Sequence, residues 1–151
     1  MRAILQRVLK PACVRIDEQI NGKINKGLVI FLGIEETDTE EDINWVSRKI
    51  CNMRIFNDSD AKMNLSLNDI DGELLIISQF TLYASTKKGN RPSFIRSAKP
   101  DFAEKMYNMF INHIEIEYKL KVETGIFGAD MKVDFINDGP VTIILDSKNK
   151  E

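Results

Sequence analysis

Gly139-Pro140 sits between two strand-like runs, Met131 to Ile136 and Val141 to Leu145, and no other feature restricts the backbone of this chain as tightly. Asp138-Gly139 between alternating apolar segments would alone read as a tight hairpin turn. Pro140 changes that reading, because it removes an amide donor, fixes its own φ and biases Gly139 away from helix. The stretch Asn137-Asp138-Gly139-Pro140-Val141-Thr142 is therefore a stiff, shaped backbone between the last two strands. The bond itself is undetermined at this level, since X-Pro bonds are cis in only about 5–6% of cases.

Upstream, Ala3 to Leu9, Cys13 to Ile16 and Gly27 to Ile34 read as strands, and Asn21-Gly22 is the strongest short hairpin signal, which predicts an N-terminal antiparallel meander. Leu28 to Leu32 is continuously apolar, as in a strand covered on both faces. A helix opens at Thr37 or Thr39 among Glu40, Glu41 and Asp42. Ile43, Val46, Ile50 and Met53 trace its apolar face, with Arg48 and Lys49 near its end. Leu74 to Ile77 is a second buried-strand signal and leads into Ser78-Gln79-Phe80-Thr81-Leu82. A second helix begins at Pro100 or Asp101 and carries Phe102, Met106, Met109, Phe110 and His113 at helical spacing. After the glycine-punctuated loop Gly125 to Gly128 comes the closing strand pair around Gly139-Pro140. Runs of strands broken by two main α-helices, without strict βα alternation, predict a single α+β domain with a curved, mostly antiparallel β-sheet or barrel. Its expected extent is 1–147, with 148–151 a frayed tail.

At 151 residues, one domain can bury about 68–70% of the surface its unfolded chain exposes. No segment reaches the roughly 18–20 apolar residues of a membrane span, so no membrane partner is expected. Cys13 and Cys51 lie outside any metal or redox spacing and suit buried free thiols in a reducing cytoplasm. The formal net charge of −2 argues against sequence-blind coating of nucleic acid. Charge is uneven, however: from Leu74 through Pro100 there is no Asp or Glu, while Lys87, Lys88, Arg91, Arg96 and Lys99 lie there beside Phe80, Tyr83 and Phe94. That segment is either a solvated loop or a local basic footprint.

The chain has one histidine, His113, which excludes mechanisms needing several imidazoles and most zinc sites. It lies on the apolar stripe of its helix, where a packing role is favoured over catalysis. No nucleophile-elbow pattern surrounds Ser78 or Thr81, and Gly125 and Gly128 lack the Lys-Ser/Thr of a phosphate loop. No metal or cofactor is expected. What remains is a hydroxyl-and-amide tract at a strand end, a stiff Gly-Pro segment and a local basic stretch. Period-two alternation puts Ser78 and Phe80 on one face and Gln79 and Thr81 on the other, so only a bend at Phe80 lets the tract line one pocket.

Ser78-Gln79-Phe80-Thr81-Leu82 and Asn137-Asp138-Gly139-Pro140-Val141-Thr142 resemble the two signature motifs of the D-aminoacyl-tRNA deacylases. Gln6-Arg7-Val8, the Lys87-Gly89-Asn90-Arg91-Pro92-Ser93-Phe94 segment and Gly125 to Met131 fall in the order of that family, so the resemblance spans essentially the whole chain. It implies a homodimer that hydrolyses the ester joining a D-amino acid, or glycine mischarged on alanine tRNA, to the 3′-terminal adenosine of tRNA. It further implies that Gly139-Pro140 is cis and projects from one subunit into a pocket formed by the Ser78 to Leu82 tract of the other. Rigid main-chain atoms there exclude an L side chain, and glycine slips through. Ser78, Gln79, Phe80 and Thr81 are the implied catalytic tract, with amides near Phe80 and Thr81 as an oxyanion hole and the substrate 2′-hydroxyl activating water. A covalent route with Thr81 as nucleophile is the alternative. Phe127 and Met131 are expected at the adenine, Arg7 at the Gly-Pro support, and Lys87, Lys88 and Arg91 at the tRNA backbone. Two rival classes remain, a non-catalytic nucleic-acid-binding module and a general small-ester hydrolase.

Overall fold

The computed structural model describes residues 1–150. The strands are β1 (Arg2–Val8), β2 (Ala12–Ile16), β3 (Gln19–Ile24), β4 (Gly27–Gly33), β5 (Phe56–Asn57), β6 (Met63–Leu65), β7 (Glu73–Ser78), β8 (Val122–Thr124), β9 (Lys132–Asp134) and β10 (Thr142–Asp146). The helices are α1 (Glu40–Asn52) and α2 (Pro100–Glu117), and short 3-10 turns cover Asn68–Ile70 and Phe80–Tyr83. A five-stranded sheet has the order β10-β1-β4-β7-β8, a three-stranded sheet the order β3-β2-β9, and β5 pairs with β6.

This is the expected α+β domain with two helices, and most strand pairs are antiparallel. Two are not: β7 runs parallel to β4, and β8 parallel to β7. Both parallel steps are crossovers that carry a helix, α1 before β7 and α2 before β8, as parallel neighbours require. Among the described residues the strands form separate sheets rather than one closed barrel.

Three local expectations are corrected. The meander does not form, because β1 pairs with β4 directly, Arg2 opposite Gly33 through Val8 opposite Gly27, while β2 and β3 turn away into the second sheet. Pro11 breaks the chain between β1 and β2, and Ala12 and Val14 of β2 join a second apolar cluster with Val8, Ile24, Val29, Leu75 and Ile77. The hairpin turn lies at Asp17-Glu18, whose φ of 47° and 63° are the left-handed pair that a two-residue hairpin loop needs. Asn21-Gly22 instead sits inside β3 at a bulge, since Val14 faces Gly22 and Arg15 faces Ile20. There Gly22 serves a close approach, as a Cβ would lie 2.6 Å from Thr124 O. Finally, β9 and β10 are not a pair: β9 joins β2, β10 joins β1, and Gly139-Pro140 links two sheets.

β4 and β7 are covered on both faces as their apolar runs predict. Leu28, Ile30, Leu32, Leu74 and Ile76 face the main core with Ile43, Val46, Ile50, Met106, Phe110 and Ile114 from the helices. Thr39 is the N-cap of α1, and Asp42 Oδ2 accepts from Thr39 N at 2.8 Å in a capping box. Lys148, at the head of the expected tail, is held: Nζ donates to Asp42 Oδ2 at 2.7 Å and to Thr37 O at 3.0 Å. Glu151 lies outside the described residues. His113 is half-buried and meets Tyr118 edge-on at 6.0 Å.

Candidate active site

β7 delivers Ser78 to the C-terminal end of the five-stranded sheet, where Gln79 N makes a last sheet-like bond to Leu32 O at 2.8 Å. The backbone then leaves the strand, with Gln79 at φ −144° and ψ 82°, and winds into the Phe80–Tyr83 turn. This is the bend that strand alternation could not supply. Buried Tyr83 anchors the turn from below, Ser97 Oγ donates to Phe80 O at 2.8 Å, and Arg2 Nη1 donates to Leu82 O at 3.0 Å.

A pocket of about 480 Å³ opens beside the turn, lined by Ser78, Gln79, Phe80, Phe94, Ser97, Ala98, Ala103, Phe127 and Met131 among others. Five of the expected site residues, Ser78, Gln79, Phe80, Phe127 and Met131, thus converge from two chain segments. No lining side chain is ionisable. Thr81 does not line the pocket; its hydroxyl accepts from Gln79 Nε2 and the residue is exposed. The amides of Phe80 and Thr81 open the 3-10 turn and have no backbone acceptor among the described residues. Such a wall can bind an apolar ring, orient polar ends through Ser78, Gln79 and Ser97, and offer the Phe80 N–H to a developing negative charge.

Phe127 and Met131 come from the loop after β8. Tyr107 on α2 holds that region: its hydroxyl donates to Ile76 O at 2.6 Å, and its ring lies 6.0 Å from that of Phe127. Burial pushes the Tyr107 hydroxyl well above the usual tyrosine range, so it remains a donor. Phe94, Ser97, Ala98, Ala103 and Tyr107 were not anticipated in the site. Only Phe94, an aromatic amid cations, carried any sequence signal.

The Gly-Pro segment is elsewhere. The Gly139-Pro140 bond is cis, and Gly139 has φ 113°. Arg7, buried, donates from Nη1 to Ile55 O at 2.6 Å and from Nη2 to Asp138 Oδ2 at 2.8 Å. Main-chain bonds add to this, with Asp138 N to Arg7 O at 2.8 Å and Arg7 N to Val141 O at 3.1 Å. Asn137 Nδ2 donates to Gln6 Oε1 and to Thr142 Oγ1 at 2.8 Å. A Cβ on Gly139 would sit 2.9 Å from both Arg7 Nη2 and Val141 Cγ2, so this position is closed to a side chain as well as left-handed.

The braced segment leaves Gly139 and Pro140 exposed, and neither they nor Arg7 line the pocket. Strand register separates the two features. Arg7 faces Leu28, whereas Ser78 faces Leu32. Four residues of strand correspond to roughly 13 Å along the sheet at about 3.3 Å per residue. Lys87, Lys88 and Arg91 are exposed on a loop closed by paired backbone bonds between Ser85 and Ser93, at 2.8 and 2.9 Å. Among the described residues no cluster of His, Cys, Asp and Glu could hold a metal ion, and no helix is long and apolar enough to cross a membrane.

The family model described as D-Tyr-tRNA(Tyr) deacylase matches residues 4–146. Proteins named D-aminoacyl-tRNA deacylase from Flavobacterium psychrophilum and Flavobacterium johnsoniae are 59% and 56% identical over 151 residues, which is the whole of each chain. A solved structure named c-Myc DNA Unwinding Element Binding Protein is 38% identical, covers 97% of this chain and 98% of its own, and superposes with a TM-score of 0.91. A second, described as a probable eukaryotic D-amino acid tRNA deacylase, shares the fold with a TM-score of 0.79 at 14% identity, covering 95% of this chain and 98% of its own.

Proposed function

From the premise that this chain belongs to the D-Tyr-tRNA(Tyr) deacylase family, we propose that its active site is a composite of two copies that hydrolyses the ester of a D-amino acid on tRNA and spares the L form. The chain is a D-aminoacyl-tRNA deacylase, a hydrolase acting on an ester bond.

One observation carries the composite site. The rigid, exposed Gly139-Pro140 segment and the Ser78–Phe80 pocket lie at different ends of one sheet, so the segment cannot enter the pocket of its own chain. A partner related by a two-fold axis brings each segment to the other's pocket. The sheet face turned away from the helices offers a surface for that partner: Ile4 and Ile144 lie opposite each other on β1 and β10, with Ile144 71% exposed.

In this arrangement the carbonyl oxygens of Gly139 and Pro140 accept from the substrate ammonium and fix Cα. An L side chain then points into main-chain atoms held by the Arg7–Asp138 brace, and a D side chain points away. Glycine presents nothing to exclude, which extends the activity to glycine mischarged on alanine tRNA. The terminal adenine occupies the apolar wall of Phe127 and Met131, and Lys87, Lys88 and Arg91 meet the tRNA backbone.

Because no lining side chain can take a proton, the substrate supplies the base. The 2′-hydroxyl of the terminal ribose, adjacent to the ester, activates water, and the Phe80 and Thr81 amides stabilise the oxyanion. Thr81 as covalent nucleophile is disfavoured, since its hydroxyl accepts from Gln79 Nε2 and the residue is not among those lining the pocket. The enzyme works in the cytoplasm, where charged tRNA is found, and needs no metal or other cofactor.

The test is incubation with D-tyrosyl-tRNA and L-tyrosyl-tRNA. Rapid loss of the D ester alone supports the reading, and comparable or absent hydrolysis of both contradicts it. The name of the 38% identical structure, a DNA unwinding element binding protein, favours a second reading, that of a DNA-binding module. Tight, salt-dependent binding to a DNA duplex with no deacylation would establish that alternative.

A further inference from the structure

The turn from Phe94 to Ser97 stands beside the pocket and is fixed on every side but one. Ser97 N donates to Phe94 O at 2.9 Å, Ser97 Oγ to Phe80 O at 2.8 Å, and Ala98 N to Ile34 O at 3.0 Å. Arg96 lies over the Tyr83 ring at 5.5 Å and pairs with Glu35 at 3.5 Å. Phe94 lines the pocket and meets Phe80 edge-on, with ring centroids 5.0 Å apart. Between these anchors Ile95 is 93% exposed, and Phe80 beside it remains 57% exposed. An aliphatic side chain held in water at the tip of an immobilised turn contributes nothing to the core. Placed against a pocket rim, it extends the apolar wall outward.

Charge identifies the occupant. Residues 74–100 contain no carboxylate side chain, and the exposed Lys87, Lys88 and Arg91 lie on the loop that Ser85 and Ser93 close just before this turn. Apolar surface flanked by cations suits a nucleobase and its phosphate, the combination used to hold single-stranded nucleic acid. An uncharged peptide or other apolar partner would leave the cations without a role.

We propose that Ile95 and the outer edges of Phe80 and Phe94 form a subsite for the nucleotide that precedes the terminal adenosine. Its base packs on Ile95, and its phosphate faces the Lys87–Arg91 loop. The subsite rests on the reading above that the adenosine occupies the Phe127–Met131 pocket. It lets the enzyme grip two nucleotides of the single strand, so that discrimination at the amino acid does not depend on the adenosine alone for binding.

The test compares D-tyrosyl-tRNA with the same tRNA made abasic at the penultimate nucleotide. Wild-type protein should lose about tenfold in kcat/KM on the abasic substrate, mostly through KM. In Ile95→Asp the ratio of intact to abasic should fall to about one, while Ile95→Leu keeps it. Equal rates for the two substrates in the wild type, or a penalty that survives Ile95→Asp, overturns the proposal. A shift of Ile95→Asp from dimer to monomer on sedimentation also overturns it, because the residue then belongs to a contact between copies. If the wild type hydrolyses neither substrate, the deacylase reading itself fails, a result distinct from equal hydrolysis of both.

Discussion

Arg7 and Asp138 are joined twice, by Arg7 Nη2 donating to Asp138 Oδ2 and by Asp138 N donating to Arg7 O, each at 2.8 Å. The first strand of the chain thereby fixes the segment that enters Gly139-Pro140, more than 130 residues later. A gate that works by shape needs such a brace, because a flexible carbonyl cannot exclude a side chain.

Arg7→Ala is therefore expected to cost about 3 kcal/mol, at the low end for a broken buried pair because the Asp138 carboxylate is 37% exposed. Arg7→Lys keeps the charge but cannot serve Ile55 O and Asp138 together, so about 1–2 kcal/mol is lost. In both variants the ratio of D-tyrosyl to L-tyrosyl hydrolysis should fall further than the rate on the D substrate. Chemical denaturation and paired deacylation assays measure the two effects.

Thr81→Ala should keep deacylation within a few-fold of wild type, because the hydroxyl faces Gln79 and not the pocket. A substrate ending in 2′-deoxyadenosine should lose about 10²–10⁴ in kcat, the range for removing a general base. The reverse pattern in single-turnover assays would support the covalent route.

Neutralising Lys87, Lys88 and Arg91 together should raise KM for tRNA with little change in kcat. Each lost phosphate contact should flatten the dependence of log KM on log salt by about 0.7. A salt titration of the triple variant checks this, and an unchanged slope would remove the loop from the tRNA path.

Asp42 gives a pH signature. Burial opposes its charge, but hydrogen bonds from Lys148, Ser147 and the Thr39 backbone outweigh that and hold the carboxyl well below the usual aspartate range. A folded-state value below the unfolded one stabilises the fold at higher pH, and the gain is lost as pH falls below the unfolded value, about 3.9. Asp42→Asn should therefore cost about 1 kcal/mol at pH 7, as for loss of a helix cap, with the gap to wild type shrinking below about pH 4. Thermal melts across that range measure it.

The parts of the site legible in the sequence were those set by local chemistry. Ser78, Gln79 and Phe80 of the first motif meet Phe127 and Met131 in one pocket, while Thr81 and Leu82 stay outside it. The bend at Phe80 was visible only as a condition, since alternation reports a strand's faces but not where it stops. Sheet order was harder, because it depends on distant partners. Asn21-Gly22 and Asp17-Glu18 both suit a turn, and the choice follows from the pairing of Ile16 with Gln19 and the approach of Gly22 to Thr124. Likewise β9 and β10 are neighbours in sequence but belong to different sheets. Tyr107 and Ser97 act through single hydrogen bonds to main-chain carbonyls and leave no pattern to read.

The composite site is tested most directly by mixing two inactive variants. Gly139→Ala disables the gate, since its φ of 113° and the 2.9 Å approach of Arg7 leave no place for a methyl group, and Ser78→Phe fills the pocket. After co-refolding at equal concentrations, half of randomly paired dimers are mixed, and each has one site with an intact gate facing an intact pocket. The account predicts recovery of about a quarter of wild-type D-tyrosyl-tRNA deacylation. A mixture as inactive as its components would place gate and pocket in the same chain and contradict it.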